Sequence, residues 1–85
     1  MTPTEAFEDA QKRVKQLSAT PSNDQLLELY GLFKQASVGD VSGSRPGMLD
    51  FKGRAKFDAW AKRKGTAKEQ AISAYVALVD RLTKK

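Results

Sequence analysis

The sequence predicts an all-α protein, a four-helix bundle. Three observations carry that expectation. Four segments place apolar residues at steps of three and four, the period of one helix face. Helix-start signals precede them at Thr2-Pro3, Thr20 to Ser22, Asp50 and Thr66. No strand-like alternation, internal repeat or low-complexity tract interrupts the pattern. The 85 residues suit one domain, 1–85, with a small core and a modest stability margin.

The first helix is expected to start near Pro3, with Thr2 as N-cap and Glu5 completing a capping box. Phe7, Ala10, Val14 and Leu17 form its apolar stripe, and Ser18 to Asn23 stop it. Glu5, Glu8 and Asp9 precede Lys12, Arg13 and Lys15, the order that the helix dipole favours. The second helix begins between Pro21 and Asp24, and Thr20 and Ser22 both qualify as its N-cap. Its apolar face is wide: Leu26, Leu29, Tyr30, Phe33 and Ala36, with Leu27 and Leu32 at the margins. The bland reading of that width is a well-buried helix; the sharper one is that a margin lines a pocket.

Val38 through Met48 read as a long loop, punctuated by Gly39, Gly43 and Gly47, with Pro46 holding Arg45 out of helix. Loops this long between helices of a small domain are uncommon and often functional. This one has room to carry the chain back along the bundle and leave helices two and three parallel, while the two shorter connections suit antiparallel neighbours. Asp50 is the expected N-cap of the third helix, which contains Phe51, Ala55, Phe57 and Trp60 and ends at Gly65. Gly53 in its first turn lowers helicity and points to a close approach. Thr66 and Glu69 read as a capping box for the fourth helix, which carries Ile72, Tyr75, Val76, Val79 and Leu82. Arg81, Lys84 and Lys85 close the chain with cations.

Composition narrows function. With no cysteine and no histidine, disulfides, Cys-based metal sites and Ser-His or Cys-His catalysis are excluded, and the acids are scattered at helix starts. No GxxxxGK[ST] loop is present. We therefore expect no enzyme, no metal and no cofactor. Neither a signal peptide nor a stretch long enough to span a membrane is visible, so a cytoplasmic protein is the default. The net charge of +5 is unevenly placed: residues 45–68 hold eight basic and two acidic side chains, whereas residues 1–44 hold four and six. A local basic patch suits a compact polyanion. The alternative is a small basic helical nucleic-acid-binding protein, for which a continuous stripe is more usual.

The candidate binding residues sit at the two ends of the segment from Tyr30 to Trp60. Tyr30, Phe33 and Lys34 share one helix face, and Lys52 and Lys56 are four apart at the start of the third helix. Tyr75 stands on the fourth. Each lysine alone suits a solvated face and each tyrosine suits core packing. Together, ammonium groups beside aromatic rings can hold phosphates while the rings stack on a base.

At these residues the sequence resembles the acyl-CoA-binding protein family, also called diazepam-binding inhibitor. The resemblance is carried by Tyr30, by Phe33-Lys34-Gln35-Ala36 and Val38-Gly39-Asp40, and by the run Arg45 to Gly53. Ala55-Lys56, Asp58-Ala59-Trp60, Lys64-Gly65 and Tyr75 continue it, and it extends from about Phe7 to the end of the chain. It implies an up-down-down-up bundle with a long overhand loop between helices two and three. It further implies one-to-one binding of medium- and long-chain fatty acyl-CoA thioesters by a monomeric carrier, exchanged transiently with enzymes and membranes. By position, Lys15, Tyr30, Lys34, Lys52, Lys56 and Tyr75 match ligand-contacting residues. Lys34 and Lys56 fall where the family holds the ribose 3′-phosphate, and Leu26 and Leu27 where it lines the acyl channel. Two residues depart from the pattern. Phe33 replaces a usual tyrosine, keeping the ring without its hydroxyl. Phe57 replaces a usual tryptophan, as a core adjustment.

Overall fold

The computed structural model describes residues 2–83. Lys84 and Lys85, expected to complete the cationic end of the last helix, lie outside them. Four helices form: α1 (Pro3–Val14), α2 (Asn23–Ser37), α3 (Phe51–Ala61) and α4 (Lys68–Thr83). No strand occurs among the described residues.

Local chemistry explains the boundaries. Thr2 Oγ1 accepts from Glu5 N at 3.2 Å, and Thr2 N donates to Glu5 Oε1 at 3.1 Å, so the first capping box is complete. The helix stops at Val14 because Gln16 N donates to Arg13 O, tightening the chain out of α-geometry. Leu17, expected to extend the stripe, falls beyond the helix and is half-buried. For α2, Ser22 is the N-cap rather than Thr20, because Gln25 answers it reciprocally at 3.2 and 2.9 Å. Asp50 caps α3 by accepting from Gly53 N at 2.9 Å. A Cβ on Gly53 would collide with that carboxylate, which is the close approach that this glycine permits.

The fourth helix starts one residue later than expected. Ala67 O accepts its first bond, from Ala71 N, and no hydrogen bond joins Thr66 to Glu69 among the described residues. Thr66 is held instead in the turn that ends α3, where its N–H donates to Arg63 O and its carbonyl accepts from Gln35 Nε2.

Helix α4 packs on α1 and α2, and α3 packs on α2 alone, so the order in space is α1, α4, α2, α3. Named contacts give the directions. Phe7 meets Tyr75 and Arg13 meets Asp80, so α1 and α4 run parallel. Gln35, late in α2, reaches Thr66, just before α4, so these two are antiparallel. Lys56 stands over Tyr30, and Lys34 over Trp60, so α2 and α3 are parallel. The bundle is therefore up-down-down-up. The short connections were expected to suit antiparallel neighbours; α1 and α2, and α3 and α4, do run antiparallel, but neither pair packs backbone to backbone, and α1 reaches α2 through the Phe7 and Phe33 rings. The wide apolar face of α4 takes the place between α1 and α2.

The core is built from Phe7 and Ala10, from Leu29, Leu32 and Ala36, and from Ala71, Ile72, Tyr75, Leu78 and Val79. Leu32, read as marginal, is nearly fully buried, whereas Leu26, read as part of the face, is 42% exposed. Two partners cause this. Helix α2 turns Leu29, Leu32 and Ala36 toward the core and Gly31 toward α3, leaving Leu26 between them. Only Trp60 of α3 is buried, and Phe57, expected as a core residue, is half-buried outside the cluster.

The long loop is tied down at three points. Trp60 Nε1 donates to Gly39 O at 2.7 Å. Arg45 forms a two-pronged pair with Asp58, at 3.0 and 2.7 Å. Asp40 Oδ1 accepts from Gln35 Nε2 at 2.9 Å and from Gly65 N at 2.8 Å.

Two predictions follow from this packing. At position 31 a Cβ would stand 2.5 Å from Ala59 O, so Gly31→Ala should cost about 1–3 kcal/mol by overpacking, measured by urea unfolding. The Asp40 carboxyl is held below the ordinary range by the Gly65 N–H and by Gln35. A depressed folded pKa stabilises the fold above the unfolded value and loses that effect as pH falls through the folded one. Asp40→Asn should therefore melt below the wild type at pH 7, and the gap should narrow below about pH 4.

Candidate ligand-binding site

Helix α2 supplies one wall of the site. Tyr30, Phe33 and Lys34 occur at i, i+3 and i+4 and so share a face. Helix α3, running parallel beside it, supplies the other. Lys56 Nζ stands 5.5 Å from the centre of the Tyr30 ring, and Lys34 Nζ stands 4.8 Å from that of Trp60. Both are cation–π distances. The rings orient ammonium groups while leaving their donors available, since Lys34 is half-buried and Lys56 exposed.

Lys56 also faces a groove. With Lys52, Leu26, Leu27, Phe51 and Ala55 it lines a cleft of about 480 Å³ between the N-terminal halves of α2 and α3. The walls are mainly apolar, with the two ammonium groups on one side. Cation–aromatic cluster and apolar groove are thus continuous through one side chain. A larger depression, of about 630 Å³, shares Leu27 and Ala55 but otherwise uses other faces of the two helices. Asp24, Glu28 and Asp58 line it together with Lys62 and Arg63, and Arg63 pairs with Glu28 at 3.7 Å, so its charges are mixed.

The remaining expected residues separate. Tyr75 is buried and meets Phe7 edge to face, with ring centres 5.1 Å apart. Phe33 lies 6.0 Å from the same Phe7 ring. Phe7 therefore joins the Phe33 and Tyr75 positions, a role hidden in the sequence because its spacing reads as ordinary core. Lys15 caps the end of α1, exposed, and no described contact ties it to the Tyr30 and Lys56 pair. Trp60 and Gly39 were also missed as parts of the site: Trp60 carries Lys34 on its face and fixes the loop through its indole N–H. Burial pushes the Tyr75 phenol above the ordinary tyrosine range. No group of three or more potential metal ligands occurs among the described residues.

Fold and site define a class: a small all-helical protein with lysines and aromatic rings at the end of an apolar groove. The chain belongs to the acyl-CoA-binding protein family, whose model, described as "Acyl CoA binding protein", matches residues 4–79. It is 55% identical over 82 residues to acyl-CoA-binding protein homolog 1 of Caenorhabditis elegans, covering 96% of this chain and 95% of that protein. It is 53% identical over 83 residues to the acyl-CoA-binding protein homolog of Manduca sexta, covering 96% and 92%. Among solved structures, acyl-CoA-binding protein 2 of Oryza sativa superposes with a TM-score of 0.90 at 44% identity, covering 94% of this chain and 87% of that one.

The phenol of Tyr75 offers a direct check on this geometry. Difference titration at 295 nm, wild type minus Tyr75→Phe, should show a phenolate forming above the ordinary value of 10.0. Tyr75→Phe keeps the ring on Phe7, so its melting temperature should stay within about 4 °C of the wild type, equivalent to less than about 1 kcal/mol.

Proposed function

We propose that this chain is one acyl-CoA-binding domain, residues 1–85, that binds medium- and long-chain fatty acyl-CoA esters one to one. It acts as a monomeric cytoplasmic carrier and pool former, without catalysis and without nucleic acid as a partner. The observation that carries this reading is the double placement of Lys56, over the Tyr30 ring and on the wall of the apolar groove beside Leu26 and Leu27. A ligand with an anionic nucleotide and an apolar tail needs those two environments side by side.

In this reading Lys34 and Lys56 hold the 3′-phosphate and Tyr30 stacks on the nucleotide. Lys15 and Lys52 add charge around it, and Tyr75 and Phe33 bound the site from the core side. Leu26 and Leu27 receive the tail. Burying a 16-carbon tail is worth roughly 11 kcal/mol before ordering costs, at about 0.8 kcal/mol per methylene. Nanomolar affinity corresponds to about 12 kcal/mol, so tail and head together reach that range. The lysines then distinguish the thioester from a plain fatty acid. Phe33 keeps its ring against Phe7, and Phe57 lies outside the core cluster, so neither departure removes the site.

Native mass spectrometry of the protein with palmitoyl-CoA, CoA and palmitate in competition tests this. A one-to-one adduct dominated by palmitoyl-CoA is expected. Equal occupancy by palmitate would remove the head-group assignment, and affinity falling steeply with salt would favour the nucleic-acid alternative. Lys34→Ala and Lys56→Ala should each weaken binding about 10- to 100-fold, the loss of one hydrogen bond to a charged group, with unchanged melting. A variant that melts early has lost a structural residue instead.

A further inference from the structure

Trp60 is the one buried residue of α3, yet it stands outside the main core cluster. Its polar and cationic contacts are with the loop and with Lys34. The indole Nε1–H donates to Gly39 O at 2.7 Å, and the Lys34 ammonium lies 4.8 Å from the ring centre. Gly39 is also tied to Lys34 through the backbone, because Val38 N and Gly39 N both donate to Lys34 O, at 2.7 and 3.2 Å. Three contacts therefore close a circuit. The Lys34 side chain meets the Trp60 ring, the Trp60 N–H meets Gly39, and the Gly39 N–H returns to Lys34.

The corners of this circuit are fixed. Gly39 has a φ of 102°, a left-handed angle that a side chain makes costly, although a Cβ there would meet no atom within 4 Å. Glycine is needed at this position for its conformation and not for space. Asp40, the next residue, pins the corner to α2 through Gln35 and to the turn after α3 through Gly65. Lys56 is placed more simply, since its ring, Tyr30, stands directly on α2. A free lysine samples many rotamers and loses them when it grips an anion. Lys34, held at its carbonyl and at its ammonium by one connected unit, has given up part of that freedom before a ligand arrives. Attraction to a ring face leaves the ammonium donors open to oxygen acceptors.

Resting on the reading that Lys34 holds the 3′-phosphate, we propose that Trp60 and Gly39 are positioning residues for that lysine. They set how strongly the site prefers a ligand with the 3′-phosphate over one without it. Neither residue needs to touch the ligand. Trp60 supplies the surface on which the ammonium rests, and Gly39 fixes that surface relative to the Lys34 backbone.

The test compares palmitoyl-CoA with palmitoyl-3′-dephospho-CoA by calorimetry. It uses the full chain, Trp60→Phe, Gly39→Ala, Lys34→Ala and the double variant Trp60→Phe/Lys34→Ala, with folding checked by thermal melting. Trp60→Phe keeps a ring and removes the N–H, whereas Gly39→Ala keeps the indole and strains the corner. Gly39→Ala, whose added methyl meets open space, carries the test if Trp60→Phe melts too low. Each should weaken palmitoyl-CoA about fivefold, the size of one cation–π contact, and the dephospho ligand by less than about twofold. In the Lys34→Ala background, Trp60→Phe should change the preference no further. Proton NMR of the unliganded protein gives an independent readout. The indole should shift the Lys34 ε-methylene protons upfield in the wild type, and Gly39→Ala should return them toward the ordinary lysine position.

Equal weakening of both ligands would overturn the proposal and leave Trp60 and Gly39 a structural role alone. An unchanged preference in both variants, with the preference lost in Lys34→Ala, would overturn it while the Lys34 assignment stands. A preference that survives Lys34→Ala would sink the phosphate reading and the proposal with it.

Discussion

Helix α3 rests on one neighbour, and it can do so closely only because position 31 is glycine. A side chain there would strike the backbone at Ala59, so the two parallel helices meet with no side chain between them at that point. The candidate binding site depends on this approach. It brings Lys56 over Tyr30 and Lys34 over Trp60, and it sets the width of the groove between Leu27 and Ala55. Because α3 lacks contact with α1 and α4, the overhand loop must hold it in place, and the loop does so at Gly39, Asp40 and Arg45.

The molecule divides its labour accordingly. Helices α1, α4 and the inner face of α2 hold the core, where Tyr75 and Phe7 make an edge-to-face contact. Helix α3 contributes little to that core and carries instead Lys52, Arg54 and Lys56, the tryptophan and the outer groove wall. Its first turns run against the dipole rule and its flanking turn displays apolar side chains. Local rules broken in one place, with good capping elsewhere, mark where a sequence has been shaped by something other than stability.

Legibility in the sequence followed the range of the interactions. Capping boxes and helical periods are local, so the four elements, the Thr2 and Asp50 caps and the loop limits could be read directly. The Thr66 box has the same local grammar, yet it failed because a long-range bond from Gln35 and a competing local turn onto Arg63 claimed that residue. Leu32 and Leu26 exchanged roles for a similar reason: burial depends on which helices arrive, not on the period alone. Family resemblance pointed to Tyr30, Lys34 and Lys56, while the part played by Phe7 was masked by its core-like spacing.

The sequence by itself determined four helices, the starts of the first and third, the basic character of the third and the presence of lysines and rings at matching intervals. It did so because hydrogen bonds and side-chain spacing within three or four residues are encoded in adjacent letters. Tertiary structure alone decided that α4 inserts between α1 and α2, that α3 leans on a glycine, and that Lys34 and Lys56 find their rings across a helix boundary. Those outcomes depend on surfaces meeting across 20 residues or more, and shape complementarity at that range is not written in any local pattern.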